Sequence, residues 1–264
     1  MRTVALTFHD ILPDQEPAAQ PTHADAFYSI TAGELDLLLS QLYKRGYRTV
    51  SSKAFRAWQQ DQGTLPEKTV VFTFDDGYAS NLEVAAPALN RYRFTGTFFI
   101  TVERIGQPGY MTWDQLKRLV FLGMEIGSHG VTHKPLTQLS KEELEQELVH
   151  SKRRLEQQLG VPILSLAAPG GFWNDAVAKA VKEAGYDAMW VSNIGTNGKE
   201  TNPLALRRVV VRKPFSLDGT VSMVEGWQPA FWWAANQQML IRLLKRLLGV
   251  YSYERLKKRL MPNA

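Results

Sequence analysis

Residues 69–78 read Thr-Val-Val-Phe-Thr-Phe-Asp-Asp-Gly-Tyr, and this stretch decides how the chain folds. Its first six residues are apolar or β-branched, which is typical of a strand buried on both faces of a parallel sheet. Two carboxylates and a glycine follow at once, where the strand must end and the chain must turn. A buried strand that ends in charged residues favours an α/β fold with its chemistry at the carboxyl ends of the strands.

The same strand pattern recurs along the chain. Short runs rich in Val, Ile and Phe occupy residues 4–8, 48–50, 96–101, 124–127, 163–167, 188–191 and 206–211. Helical patterns separate these runs, and several begin with a capping box, in which Ser or Thr is followed three residues later by Glu or Gln. The pairs are Thr31 with Glu34, Thr112 with Gln115, and Ser140 with Glu143. The alternation predicts an α/β fold, with a barrel of seven to eight mostly parallel strands.

Two segments depart from this rhythm. Residues 11–30 form a long connection that contains three prolines, and we expect it to be functional or mobile. Residues 221–264 form a predicted C-terminal extension to a barrel of residues 1–220. The extension begins with an aromatic group and continues with basic helical segments at 239–247 and 253–260. These extra C-terminal helices could contact an anionic membrane surface, or they could cover the barrel with their cationic side chains outward.

The composition excludes several classes of protein. Hydrophobic residues make up 44% of the 264 and charged residues 22%, as in a globular domain with a sizeable core. Because there is no cysteine, a metal must be bound by His, Asp or Glu. No basic stripe with interleaved aromatics accompanies the polar motifs, so nucleic acid is not an expected partner. Neither a signal-peptide pattern nor a membrane-spanning run is found, so we expect a cytoplasmic chain, membrane-associated only through its C-terminal helices.

Polar residues cluster where the predicted strands end. His9 follows the run at 4–8, and Asp75 and Asp76 follow the run at 69–74. His129 lies just beyond the run at 124–127, with His133 four residues further on. In a parallel barrel these strand ends share one face, so the side chains should meet there. Each group also has a plainer explanation. A solvated turn accounts for the two aspartates, and a pair of exposed loop histidines accounts for the other motif.

Taken together, these groups predict a metal centre. Asp76, His129 and His133 would supply one carboxylate and two imidazoles, the three-ligand set with open positions that hydrolytic metals use. We predict one divalent ion, with zinc first and iron, cobalt, nickel or manganese as alternatives. Such an ion lowers the pKa of bound water and polarises a carbonyl oxygen. Asp75 would then be free to act as the general base.

The motifs resemble those of the polysaccharide deacetylases with a NodB homology domain, carbohydrate esterase family 4. Residues 73–78 are similar to the family's first motif, residues 128–133 to its second and residues 167–171 to its third. The resemblance spans residues 3–211. It implies that the barrel is distorted.

The resemblance also assigns roles. It implies that Asp75 is the base and that Asp76, His129 and His133 bind the metal. It implies further that the backbone N–H of Tyr78 stabilises the oxyanion of a tetrahedral intermediate.

The chain departs from the family pattern at two positions. The third motif usually begins with an arginine that pairs with the catalytic base, and Ala167 stands there instead. The family's late histidine, its general acid, is also missing, because no histidine follows His150. At the front of the chain, residues 6–10 place a histidine, His9, directly after a strand, as the late motif of the family does. This chain therefore resembles the circularly permuted subgroup that includes poly-N-acetylglucosamine deacetylases. We therefore predict that His9 is the general acid, with a histidine that merely caps the first strand as the alternative.

The predicted function is removal of N-acetyl groups from N-acetylhexosamine units of a polysaccharide or a lipid-linked oligosaccharide. Tyr78, Pro169, Gly170, Phe172 and Trp190 are the predicted substrate-binding residues, although a core role is as natural for the last two. Two alternatives remain. The chain could be a non-catalytic carbohydrate-binding relative, which Ala167 supports, or it could hydrolyse an acetyl ester, a formyl group or a cyclic amide. The glycan would be the partner, and the sequence does not indicate an oligomeric state.

Overall fold

The strands of the structure pair in parallel, and most of them are separated by helices. The computed structural model describes residues 1–14 and 26–226, together with Pro229. The strands are β1 Val4–Phe8, β2 Ile11–Leu12, β3 Ile30–Thr31, β4 Arg48–Val50, β5 Thr69–Phe74, β6 Thr97–Ile100, β7 Glu125–Ser128, β8 Ser165–Ala167, β9 Ala188–Val191, β10 Leu206–Arg207 and β11 Val209–Val210. The α-helices are α1 Ala32–Lys44, α2 Ser52–Gln59, α3 Ala86–Arg91, α4 Trp113–Phe121, α5 Lys141–Leu159, α6 Asp175–Glu183 and α7 Leu217–Val224.

The main sheet nearly closes into a barrel. Its hydrogen-bonded order is β10-β9-β8-β7-β6-β5-β1-β11, with β4 also paired to β5. The two ends of this path, β10 and β11, are joined in the chain by Arg208 alone. The first strand therefore lies between β5 and the last strand, which is the place that a circular permutation predicts for it. The α/β barrel expected from the sequence is confirmed.

Both faces are buried in β1, β5, β6, β8 and β9, as the mostly apolar sequences of these strands predict. One face packs against the helices, where α1 alone buries Leu35, Leu38, Leu39 and Leu42. The other face forms a smaller cluster that includes Val71, Phe99, Ala167 and Trp190 together with Phe55 of α2. Because successive residues of a strand point to opposite faces, this second cluster is the barrel interior.

Local sequence signals position the helices well. All three predicted capping boxes are present, at the starts of α1, α4 and α5. In α5 the Ser140 hydroxyl accepts from the Glu143 N–H and the Glu143 carboxylate accepts from the Ser140 N–H. The helix ends at Gly160, whose φ of 68° needs the freedom of glycine.

The structure differs from the predicted elements in three places. Residues 206–211, predicted as one strand, form two short strands interrupted by Arg208. β2 and β3, which the sequence did not predict, pair at the borders of the proline-containing connection. α7 crosses the boundary predicted between residues 220 and 221, and its buried Val221 and Val224 belong to the core of the barrel.

The C-terminal extension stays a prediction. Its helical segments at 239–247 and 253–260 lie outside the described residues. Within the described part of the chain, none of the helices combines the length and the apolar character that a membrane span requires.

Candidate functional site

Two neighbouring strands bring His9 and Asp75 together. β1 and β5 run in register, with Phe8 opposite Phe74. The pairing continues past the strands, because the Asp75 N–H donates to the Phe8 carbonyl at 2.9 Å. The Asn81 side-chain amide then donates to the His9 carbonyl at 2.8 Å. The backbone of His9 is thereby fixed beside the turn that carries both aspartates.

The three predicted metal ligands converge. One donor atom from each of Asp76, His129 and His133 lies within 4.8 Å of the other two. Asp76 Oδ1 is 3.1 Å from His133 Nε2 and 3.7 Å from His129 Nε2. Asp76 and His129 are buried, whereas the His133 side chain is 30% exposed. The group therefore opens to solvent on the side of His133.

Unusual backbone geometry produces this convergence. Asp76 and His133 both adopt the left-handed region, with φ of 75° and 63°. Residues other than glycine seldom adopt it, and such conformations cluster at functional sites. Gly77 follows Asp76 with φ of 88° and turns the chain at once. The strained turns aim both side chains at the same point.

His129 is prepared to act as a ligand. Its Nδ1–H donates to the Ala167 carbonyl at 2.8 Å, which leaves the lone pair of Nε2 facing Asp76. Burial lowers the pKa of His129 to about 4, so the ring is neutral near pH 7. A neutral imidazole whose other nitrogen is held by a carbonyl is the usual arrangement of a metal-binding histidine.

Asp76 is a buried carboxylate that stays ionised. Burial opposes its ionisation, but contact with His133 and the charges of the nearby histidines outweigh burial and hold the pKa of Asp76 far below its usual range. Its Oδ1 is buried without a well-aligned hydrogen bond, although Arg104 Nη1 lies 2.7 Å away. A buried anionic oxygen beside two imidazole nitrogens fits a divalent metal ion.

Glu147 of α5 holds the loop between the two histidines. Its carboxylate accepts from the Val131 N–H at 2.6 Å and from the Thr132 N–H at 3.1 Å. The Thr132 hydroxyl donates to the same carboxylate. A side chain at Gly130 would collide with this carboxylate, because a Cβ there would lie 2.8 Å from Glu147 Oε2. The loop is thus shaped by one buried acid.

Asp75 pairs with Arg208 inside the barrel. Arg208 Nη1 donates to Asp75 Oδ1 at 2.7 Å, and the two side chains are 1% and 5% exposed. Burial raises the pKa of Asp75, but Arg208 and the nearby His129 and His9 lower it more, so the pKa is below its ordinary value. Asp75 is therefore ionised and able to accept a proton.

His9 lies at the edge of the same group. Its ring is 5.1 Å from the ring of Tyr28, tilted by 38°. Its Nδ1 is buried and makes no hydrogen bond within the described residues. His9 lies close enough to lower the pKa of both Asp75 and Asp76.

Four of the predicted substrate-binding residues follow the ends of β5 and β8. The backbone beside Tyr78 is pinned on both sides, because Ala79 N–H donates to the Gly109 carbonyl and Met111 N–H to the Gly77 carbonyl, both at 2.9 Å. Pro169, Gly170 and Phe172 follow β8 in a tight turn, in which Gly170 is exposed and Phe172 half-buried. They stay candidates for contacts with a substrate.

Trp190 does not line the site. It is fully buried in the barrel interior, and its indole N–H donates to the Ser52 hydroxyl at 2.7 Å. Its ring centroid is 6.0 Å from that of Phe55. The prediction that Trp190 binds substrate is wrong because the ring is enclosed by the core and its polar atom is already satisfied.

Three further residues of the site, Arg208, Arg104 and Glu147, were not predicted from the sequence. Arg208 was hidden in an apolar run, although the arginine missing at position 167 was a reason to look for another inward-facing one. Arg104 follows the carboxyl end of β6, on the face that carries the chemistry. Glu147 lies on a charged helix, and nothing in the local pattern distinguishes it from the neighbouring glutamates.

Comparisons with known proteins match this chain to polysaccharide deacetylases. The family model described as polysaccharide deacetylase matches residues 62–189. A putative polysaccharide deacetylase, YxkH of Bacillus subtilis, is 28% identical over 193 residues, which is 70% of this chain and 69% of YxkH. The peptidoglycan-N-acetylglucosamine deacetylase of Bacillus cereus is 35% identical over 124 residues, which is 47% of this chain and 56% of that protein. The chain thus spans little more than half of the Bacillus cereus relative.

A solved structure supports the fold. The deacetylase PplD of Streptococcus pyogenes, determined in complex with acetate, superposes with a TM-score of 0.77 at 22% identity. The match covers 85% of this chain and 98% of that one. At this identity the likeness establishes the barrel and no more.

Proposed function

We propose that the chain is a divalent-metal-dependent hydrolase that removes N-acetyl groups from N-acetylhexosamine units, because the family model described as polysaccharide deacetylase matches residues 62–189. The observation that carries the proposal is the convergence of Asp76, His129 and His133 beside a second buried carboxylate, Asp75. The Bacillus cereus relative is named for an N-acetylglucosamine substrate in peptidoglycan, which supports an N-acetylated sugar here. The proposed substrate is a polysaccharide or a lipid-linked oligosaccharide.

Asp76, His129 and His133 would hold the metal. Bound there, a divalent cation would lower the pKa of water and polarise the acetamide carbonyl. Zinc is the proposed ion, because one carboxylate and two imidazoles are a ligand set that zinc hydrolases use. Iron, cobalt, nickel and manganese remain alternatives.

The chain's own residues would move the protons. Ionised Asp75 takes a proton from the water as the water oxygen bonds to the acetamide carbon. The backbone N–H of Tyr78 donates to the oxygen on which negative charge develops. His9 gives a proton to the nitrogen as the carbon–nitrogen bond breaks. The products are acetate and a free amine on the sugar.

The decisive experiment measures acetate released from N-acetylglucosamine oligomers. We expect release by the zinc-loaded protein and little or none after treatment with a chelator. Asp75→Asn should retain the metal and lose activity by at least about 100-fold, the usual contribution of a general base. His129→Ala should lose both metal and activity. Asp114→Asn, a change of the same kind at a side chain that is 92% exposed, is the matched control.

Two outcomes would contradict the proposal. One is full activity in the chelated protein, and the other is full activity in the Asp75→Asn variant. Full activity of His9→Ala would remove His9 from the mechanism without affecting the metal centre. In that case the histidine would only cap the first strand.

The alternatives predict other results. A non-catalytic carbohydrate-binding relative would bind the oligomers and release no acetate. Its main support was the missing arginine at position 167, and the buried contact between Asp75 and Arg208 argues against it. A deacylase for esters, formyl groups or cyclic amides would leave the N-acetylglucosamine oligomers intact and act on those substrates in a parallel panel.

A further inference from the structure

Arg208 occupies an unusual position in the barrel. It is the single residue between β10 and β11, the two strands at opposite ends of the sheet path. The Arg208 backbone N–H donates to the Asn193 carbonyl at 3.0 Å, and Arg208 as a whole is 1% exposed. Arginine is almost never fully buried without a partner. Its guanidinium therefore needs an explanation inside the barrel.

The guanidinium reaches one charged partner, Asp75. Nη1 lies 2.7 Å from Asp75 Oδ1 and 3.3 Å from the Thr73 hydroxyl, and the guanidinium carbon is 5.7 Å from the centroid of the Phe99 ring. Nε is buried without a hydrogen bond within the described residues. Apolar residues of similar volume usually stabilise a core at least as well as a buried ion pair does. A purely structural role would thus not favour arginine at this position.

Position 167, where the family's third motif usually has an arginine, carries an uncharged alanine here. Ala167 ends β8 and is fully buried in the same interior cluster as Phe99. The methyl group of Ala167 offers Asp75 no positive charge. Arg208 lies at the junction of β10 and β11, which we call the seam of the barrel, and its guanidinium lies over the Phe99 ring. The geometry points to Arg208 as the positioning residue for Asp75, supplied by the seam of the barrel instead of the third motif.

The role is to fix one carboxylate oxygen. Because Oδ1 accepts from Arg208, the carboxylate cannot rotate freely, and Oδ2 is left to accept the proton from water. Strands β10 and β11 hold Arg208 on both sides, so closing the barrel also positions the base. This inference rests on the proposed function, since it assigns Asp75 the part of general base.

The test compares Arg208→Met with Arg208→Lys in the metal-loaded protein. Met fills a similar volume without charge, and Lys keeps the charge. We expect Met to lower kcat roughly 100-fold, the effect of misplacing a reacting group by about 1 Å, with KM nearly unchanged. Lys should recover most of the loss. Arg207→Met, at the exposed neighbouring arginine, is the matched control and should retain full activity.

A double-variant cycle separates positioning from folding. If Arg208 acts through Asp75, then Arg208→Met should cost nothing further in an Asp75→Asn background. This pair removes both buried charges together, so the double variant can fold even if Arg208→Met alone cannot. The Arg208→Lys change in both backgrounds gives the same comparison with the charge retained.

Three results would overturn the inference. They are kcat of Arg208→Met within about threefold of the parent, equal losses for Lys and Met in folded protein, and a further loss in the Asp75→Asn background. Failure of the proposed function looks different, because the parent chain would then release no acetate. An active parent with an active Arg208→Met variant would contradict the role of Arg208 alone.

Discussion

At the scale of the residue, Asp76 contacts a cationic side chain of the chain itself as well as the candidate ligand histidines. Its buried Oδ1 faces the two candidate ligand histidines and also lies 2.7 Å from Arg104 Nη1. The guanidinium stacks over Tyr110, with 5.2 Å between its central carbon and the ring centroid. Arg104 thus compensates the Asp76 charge from within the chain. A divalent ion at the same oxygen would be repelled by this guanidinium.

We predict that Arg104→Gln binds zinc more tightly than the parent chain. Removing one positive charge beside the ligand oxygen should lower the dissociation constant by roughly tenfold or more, which corresponds to about 1.4 kcal/mol. The same change should make the metal-free protein less stable, because Asp76 loses its cation. Competition titration with a chromogenic chelator measures the affinity, and thermal melting in chelator measures the stability.

Arg91→Gln is the control for Arg104→Gln. Arg91 pairs with Asp36 on the surface, and its side chain is 64% exposed. The net charge changes equally in both variants, so a general charge effect would appear in both. Zinc affinity that is unchanged or weaker in Arg104→Gln would contradict the repulsion.

At the scale of the element, α5 shapes the site through the Glu147 side chain. Glu147 receives both N–H groups of residues 131 and 132 and the Thr132 hydroxyl. The loop between His129 and His133 therefore takes its shape from a helix that contributes no ligand. An ionised carboxylate can accept all of these bonds, whereas an amide would turn a donor toward a donor.

We predict that Glu147→Gln weakens zinc binding by roughly 10-fold to 100-fold, the usual cost of losing a group that orients a ligand. It should also lower the free energy of unfolding by about 1–3 kcal/mol, because buried N–H groups lose their acceptor. Glu145→Gln, at an exposed position of the same helix, should change neither quantity. Equal zinc affinities for the two variants would show that the clamp has no effect on the ligands.

The sequence predicts the regular elements better than their interruptions. β1, β4, β5 and β9 have the predicted bounds. For β1, β5 and β9 the reason is a buried, mostly apolar run whose end is marked by turn residues. The predicted strand at 206–211 is interrupted at Arg208, where the chain changes its pairing partner from β9 to β1. This change depends on how distant strands meet in the sheet, which local periodicity cannot detect.

The metal cluster could be predicted from the sequence because its residues follow predicted strands. Asp76 and His129 follow strands directly, so the parallel barrel itself brings them to one face. Trp190 was misassigned because it also lies on a strand near that face, but its side chain points into the interior cluster. Which side of a fully buried strand a residue faces is not encoded in a continuous apolar run.

At the scale of the whole molecule, the site ties distant parts of the chain together. The candidate ligands come from the ends of β5 and β7, and β1 and the seam add His9 and Arg208. A ligand that binds the folded state alone stabilises it by mass action. We predict that zinc at about 100 times its dissociation constant raises the free energy of unfolding by about 2.7 kcal/mol.

His129→Asn should abolish this gain, whereas His150→Asn, at an exposed position on α5, should keep it. Denaturant titration with and without zinc measures the difference. A gain of similar size in the His129→Asn variant would place the stabilising ion elsewhere.

The stability of the metal-free protein should depend on pH through His129. Burial holds the pKa of His129 at about 4 in the folded state, against about 6.5 in an unfolded chain. Between these values the unfolded chain takes up a proton that the folded chain does not. The contribution of His129 is therefore fully present above about pH 6.5, and it falls by up to about 1.4 kcal/mol for each pH unit as the solution is acidified toward pH 4.

The carboxylates do not obscure this window. The pKa values of Asp75 and Asp76 are lowered in the folded state, so their contribution is lost only below about pH 4, where unfolded carboxyls also titrate. Urea unfolding in chelator between about pH 6.5 and pH 4.5 should thus give a shallower slope of stability against pH for His129→Asn than for the parent. Histidines common to both chains cancel in this comparison. Parallel slopes would mean that His129 takes up protons equally in the folded and unfolded chains, which would contradict the lowered pKa.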